Sequence, residues 1–227
     1  ELLGEVEMEF AADIRDNGDL SMKLLQVRPI SSFSSESDIK FDDFAAGLEK
    51  TFVSSDKALG VGAITGIKHI VCIPPEKFDS SKTREMAAEI AAINNEFKSG
   101  DGGYLLIGPG RWGTSDPFLG IPVNWSDISE AKMIVEYGLQ GFRIEPSQGT
   151  HFFQNITSLG IGYLSVDTVY GMDGNIDFEA IAALECEKEF RFATVRALPQ
   201  ELAAFVDHKT NKAIAGLPKE KPADDIL

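Results

Sequence analysis

The chain has 227 residues, 43% of them hydrophobic, and carries a formal net charge of −15. That length and apolar share suffice for one large domain with a substantial core, or for one domain joined to a fragment of another. The charge excludes a nucleic-acid-binding or acidic-lipid-binding surface, because either needs clustered Lys and Arg to displace counterions, so a phosphate-bearing partner must be small and held locally.

Apolar runs such as "IKHIVCIPP" and "GYLLIG" are too short to cross a bilayer, and no basic leader precedes an apolar stretch at the N-terminus. No membrane association and a cytoplasmic location are expected. Cys72 and Cys186 are too few for a disulfide framework and read as buried thiols. Glu1 stands almost directly before a strand pattern, which reads as the start of a piece of a longer protein.

The first strand pattern has Glu5, Glu7 and Glu9 on one face and Val6, Met8 and Phe10 on the other, the period of a strand with one buried face. A second run, Met22 to Pro29, places Leu25 and Val27 on one face and Leu24, Gln26 and Arg28 on the opposite one. The Asp-Asn-Gly-Asp at 16–19 tolerates positive φ and predicts an antiparallel hairpin. Pro29 should end the second strand. The serine-rich, polar stretch after it predicts a linker over 31–52.

"ALGVGAITGIKHIVCIPP" predicts one or two glycine-interrupted strands stopped by Pro74 and Pro75. Met86, Ile90, Ile93 and Phe97 recur at helical spacing behind a serine cap at Ser80 or Ser81, and Gly100 closes that helix. "GYLLIG" predicts a buried strand, followed by the long loop "PGRWGTSDPFLGIPVNWSD". The β-branched residues of "AKMIVEYGL" favour a strand. "SQGTHFFQNITSLG" predicts a short capped helix, "IGYLSVD" a strand, "NIDFEAIAALE" an amphipathic helix and "EFRFATVRAL" a strand. "LAAFVDHKTNKAIAGL" predicts a hairpin turning at "HKTN", and residues 218–227 a disordered tail. Strands and helices alternate without a regular βαβ rhythm, so the class is α+β over 53–217.

Three stretches carry candidate chemistry. If the opening hairpin pairs in register, the faces of Glu7 and Glu9 and of Gln26 and Arg28 coincide. They gather two carboxylates, an amide oxygen and a guanidinium. Mg²⁺ takes one or two carboxylates and completes its shell with water and phosphate oxygens, and an arginine fork suits a phosphate. On base rates, alternating glutamates are simply a solvated strand face.

"GPGRWG" at 108–113 satisfies G-x-G-x-x-G after a strand, but two prolines follow where a dinucleotide site needs a helix, so that reading is rejected. A glycine-rich loop packed by Trp112 is favoured over a ligand site built from Arg111, Trp112, Ser115 and Asp116. "EPSQGTHFFQN" concentrates Ser147, Gln148, Thr150, His151, Gln154 and Asn155. A lone histidine beside two phenylalanines is most often structural, and a catalytic or phosphorylated His151 is the alternative. His69, within a strand, and His208, in a turn, receive no role. The two loops, 111–116 and 147–155, are expected to converge on one concave surface.

"VEMEFAAD" followed by "KLLQVRPI" resembles the closing hairpin of the ATP-grasp nucleotide-binding domain in the phosphoenolpyruvate synthase and pyruvate phosphate dikinase family. The pattern there is Asp/Glu-x-Glu-Phe/Trp, a turn, then Leu-x-Gln-x-Arg-Pro. The resemblance covers about residues 4–30. It implies metal-binding positions at Glu9 and Gln26, ligand or phosphate contacts at Glu7 and Arg28, and Mg²⁺ and ATP as cofactors. The family's ATP lid and upstream basic residues would lie before Glu1, and its phosphohistidine and barrel domains are not recognisable after the linker. Residues beyond the linker resemble a C-terminal region of bacterial proteins described as PEP/pyruvate-binding, a likeness that brings no mechanism.

The expectation is therefore the C-terminal part of an ATP-dependent phosphotransferase, inactive alone, whose partner is the N-terminal ATP-grasp part of the same protein. The rival is a non-catalytic small-ligand-binding or regulatory module.

Overall fold

The structure, a computed structural model, describes residues 6–14, 20–29, 39–60, 62–100, 102–114, 116, 118–139, 160–169, 171 and 173–219. The chain divides into two compact units, Glu1–Ser34 and Ser35–Leu227.

In the first unit, β1 (Val6–Ile14) and β2 (Leu20–Pro29) form the expected antiparallel hairpin, and β2 ends at Pro29. Its turn, residues 16–19, lies outside the described residues. Glu7 pairs opposite Arg28 and Glu9 opposite Gln26, but Phe10 pairs opposite Leu24, so the register shifts between Glu9 and Phe10. One residue is thereby inserted in β2 as a bulge. The bulge corrects the strict alternation expected there, because Leu24 stands opposite Phe10 and no longer continues the row of Gln26 and Arg28. The expected buried face is also corrected: Met8 is 59% and Phe10 55% exposed.

The second unit is built on one ten-stranded mixed sheet. Its strands are β3 (Leu48–Ser55), β4 (Ala58–Leu59), β5 (Gly62–Cys72), β6 (Gly103–Pro109), β9 (Ala131–Tyr137), β10 (Gly162–Val166), β11 (Gly174–Ile176), β12 (Cys186–Glu189), β13 (Thr194–Asp207) and β14 (Lys212–Pro218). β7 (Arg111–Trp112) and β8 (Gly120–Ile121) form a separate parallel pair. Helices α1 (Phe41–Ala46), α2 (Thr83–Phe97) and α3 (Phe178–Ala183) complete it. The strand order is β11-β3-β14-β13-β5-β6-β9-β10-β4, with β12 beside β13. Strands β5, β6, β9 and β10 run parallel and the other neighbours antiparallel.

Only Asp56 and Lys57 separate β3, near one end of this order, from β4 at the other. The three Cα steps from Ser55 to Ala58 span no more than roughly 11 Å, so the sheet must curl until its ends meet. Ser55 Oγ donates to the Ser165 carbonyl at 2.6 Å, and Ser165 N donates to the Lys57 carbonyl at 3.0 Å, fastening the closure.

Curling creates an inside and an outside. Phe52, Ile67, Ile70, Cys72, Leu105, Ile107, Met133, Val135, Leu164 and Val206 fill the inside. The alternate residues Val71, Tyr104, Leu106 and Ile134 face outward and are covered by Met86, Ile90 and Ile93 of α2, the positions expected from its spacing. Asn94 fixes that helix at depth. It is fully buried, and its amide donates to the Ser126 carbonyl at 3.1 Å and Ser129 Oγ at 3.2 Å. Its oxygen accepts from Tyr104 Oη at 2.8 Å and Glu130 N at 3.0 Å. All the hydrogen-bonding positions of the amide are used, as a buried polar group requires.

Several sequence expectations need correction. α1 and β3 occupy much of the stretch read as linker to residue 52, because Phe52 belongs to the core. The α2 approach is capped by Asp79, whose carboxylate accepts from Ser81 N at 2.9 Å, and not by a serine side chain. "EFRFATVRAL" and "LAAFVD" contribute to one strand, β13, whose pairing with β5 is interrupted between Ala197 and Leu202. Pro199 falls in that gap, where its missing N–H costs no ladder bond. β12 falls between the expected helix and the next expected strand, overlapping only Glu189 of the latter. Cys72 is buried and its thiol pushed up by desolvation, but Cys186 is exposed. Residues 220–227 of the expected tail lie outside the described residues. No described helix is long and apolar enough to cross a membrane.

Candidate functional site

The hairpin register sets Glu7 against Arg28 and Glu9 against Gln26 as direct cross-strand partners. Cross-strand partners share one face of a ladder. The side chains of these four residues lie outside the described residues.

The 108–113 loop is organised from below by a buried carboxylate. Glu136 on β9 is fully buried and accepts from Trp112 N at 2.8 Å and from Tyr163 Oη at 2.6 Å. Burial and the adjoining Glu136 hold the Tyr163 phenol far above its ordinary value, and the Arg111 guanidinium partly opposes them. Trp112 is 1% exposed, donates from Nε1 to the Val135 carbonyl at 3.2 Å, and lies so close to Gly108 that a Cβ there would run into the indole. The indole is thus part of the packing, as the loop reading has it, and presents no face for stacking on a ligand.

Arg111 is half-buried and Asp116 exposed, and Ser115 lies outside the described residues. The Asp116 carboxylate accepts from Phe118 N at 2.9 Å and shapes its own turn. The loop carrying Gln148 and His151 also lies outside the described residues. The 111–116 loop leaves the carboxyl end of β6 beside that of β9, where Pro109 pairs with Tyr137 and Gly110 N donates to the Tyr137 carbonyl at 3.0 Å.

A second constellation escaped the sequence reading. At the end of α2, where β12 lies against β13, a cleft of about 200 Å³ is lined by His69, Glu96, Phe97, Glu187, Lys188 and Val195. β5 sends Ile70 and Cys72 inward, so His69 faces α2, where its ring meets Phe97 edge-on at 5.0 Å. Cys186 pairs with Arg196 but Lys188 with Val195, which inserts Glu187 as a bulge. Bulges re-aim side chains, and the Glu187 carboxylate stands 3.0 Å from His69 Nε2. Lys188 reaches Glu96 at 2.6 Å, and that carboxylate holds the ammonium above its ordinary value.

A strand histidine such as His69 carries no local signal, and its carboxylate comes from a distant segment. Reading "ECEKE" as an edge strand would have been the available clue.

Among the described residues, no group of three or more His, Cys, Asp or Glu side chains is arranged to hold a metal ion. Comparison with family models, with curated proteins and with solved structures finds no match.

Proposed function

We propose that this chain is the C-terminal part of an ATP-dependent phosphotransferase of the pyruvate phosphate dikinase and phosphoenolpyruvate synthase type, with β1 and β2 closing its ATP-grasp nucleotide site. The observation that supports the reading is the hairpin register, which sets Glu9 against Gln26 and Glu7 against Arg28. A carboxylate and an amide oxygen side by side suit a hard cation that keeps most of its shell for water and phosphate. Glu9 and Gln26 would hold the metal, and Glu7 and Arg28 would meet the nucleotide phosphates. Bound Mg·ATP supplies the transferable phosphoryl group, with its charge partly neutralised by the metal. The exposed apolar row of the same hairpin suits a strand pair that packs against the N-terminal ATP-grasp part of the same protein.

Two measurements test this. Calorimetry on this chain alone should detect no micromolar Mg·ATP binding, because the lid and basic residues of such a cradle lie outside it. In the protein that includes the ATP-grasp part, Glu9→Gln or Gln26→Ala should reduce ATP turnover by orders of magnitude with the fold intact. Tight binding to this chain alone, or unchanged turnover in both variants, would refute the assignment.

A further inference from the structure

The cleft beside His69 belongs to the second unit and its argument is independent of the hairpin. Its volume, about 200 Å³, is below the roughly 300–1,000 Å³ of sites for drug-sized ligands. Any occupant is therefore small. Phe97 and Val195 supply an apolar wall, with Glu96, Glu187 and Lys188 at the same opening. Lys188 and Glu96 are engaged with each other at 2.6 Å, while Glu187 is 48% exposed. Two carboxylates against one ammonium, in a chain of net charge −15, favour a cation over an anion.

The way His69 is held separates binding from acid–base catalysis. In a catalytic pair the carboxylate orients one ring nitrogen and the other faces the substrate. Here the carboxylate is met by Nε2, and Nδ1 is buried with no hydrogen-bond partner among the described residues. A buried nitrogen without a partner costs stability, and in this orientation the ring braces Glu187 through Nε2 while it meets Phe97 edge-on. Nothing bound in the cleft could exchange a proton with Nδ1. His69 is thus a positioning residue and Glu187 the polar group presented to a ligand.

We propose that the cleft between the end of α2 and β12 binds a small organic cation with an apolar body, Glu187 receiving the cationic head while Phe97 and Val195 cover the body. The Glu187 bulge and the His69 brace fix the carboxylate before binding, so little ordering is left for the ligand to impose.

The test is a ¹⁵N–¹H NMR titration of the whole chain with three probes of one shape: benzylammonium, benzyl alcohol and benzoate. Benzylammonium should bind saturably with shifts centred on Phe97, Glu187, Lys188 and Val195, and at least about tenfold more tightly than benzyl alcohol. Benzoate should not bind. Glu187→Gln should erase the advantage of the ammonium probe over the alcohol, and His69→Gln should weaken benzylammonium while leaving that advantage partly in place. If Glu187→Gln perturbs the spectrum beyond the cleft, the ranking of the probes on the unaltered chain decides alone. Equal binding of benzylammonium and benzyl alcohol, shifts centred elsewhere, or no saturable binding of benzylammonium would overturn the proposal.

Discussion

Met8, Phe10, Leu20, Met22, Leu24 and Leu25 stand on the opening hairpin at 55–61% exposure, whereas every residue of β6 is buried. Both regions are strands of apolar residues paired by backbone hydrogen bonds. They differ in layers: β6 has Leu105 and Ile107 packed within the curled sheet and Tyr104 and Leu106 beneath α2, while those hairpin side chains are more than half exposed. Pairing satisfies the backbone and sets the register, but only a second layer removes apolar side chains from water. A lone two-stranded hairpin is marginally stable.

The sharpest way to break the contrast is to remove cover where it is complete. Trp112→Ala takes a fully enclosed indole from against Gly108 and removes its Nε1 hydrogen bond to the Val135 carbonyl. It should cost about 3–5 kcal/mol in urea unfolding monitored by circular dichroism. A loss below about 1 kcal/mol would mean that the loop is not part of the core.

A smaller effect is expected where a side chain caps a partly exposed helix. The Asp177 carboxylate accepts from Ala180 N at 2.9 Å and pairs with Lys50 at 2.7 Å. Asp177→Ala should cost about 1 kcal/mol. The Lys50 hydrogen bond first, and then the Ala180 N–H, hold this carboxylate below its ordinary value. Its contribution is therefore full above the ordinary aspartate value of roughly 4 and is lost as pH falls through the depressed folded value. Thermal melts of the parent and Asp177→Asn between neutral and acid pH should converge only at the acid end.

The smallest effect belongs to the uncovered region. Leu24→Ser should change the stability of this chain by less than about 0.5 kcal/mol while reducing its tendency to aggregate. A loss well above that in thermal unfolding would show that the hairpin face is covered in the isolated chain, and the contrast would fall.

Much of the second unit was legible from short-range pattern. The spacing of Met86, Ile90 and Ile93 marked the buried face of α2, and "HKTN" marked the β13–β14 turn, where Asn211 takes a φ of 56°. "NIDFEAIAALE" marked α3, although its Asn175 and Ile176 belong to β11 and the helix begins only after Asp177. β13 was less legible, because Pro199 interrupts its pattern without ending the strand. Of the candidate sites, the glutamate, glutamine and arginine spacing of the hairpin was local and visible. The His69 cleft was not, since it joins β5, the end of α2 and a bulge in β12.

The sequence by itself determined the kind of most strands and helices, which side of α2 is apolar, and the net charge of −15. These follow from neighbours within a turn or a strand, where side-chain period and backbone preference act directly. Tertiary structure alone decided that the sheet curls until β10 meets β4, that Glu136 lies under the 108–113 loop, and that Glu187 is aimed at His69. Each depends on residues far apart in the chain whose approach is fixed by the packing of the whole core, and no local spacing encodes that approach.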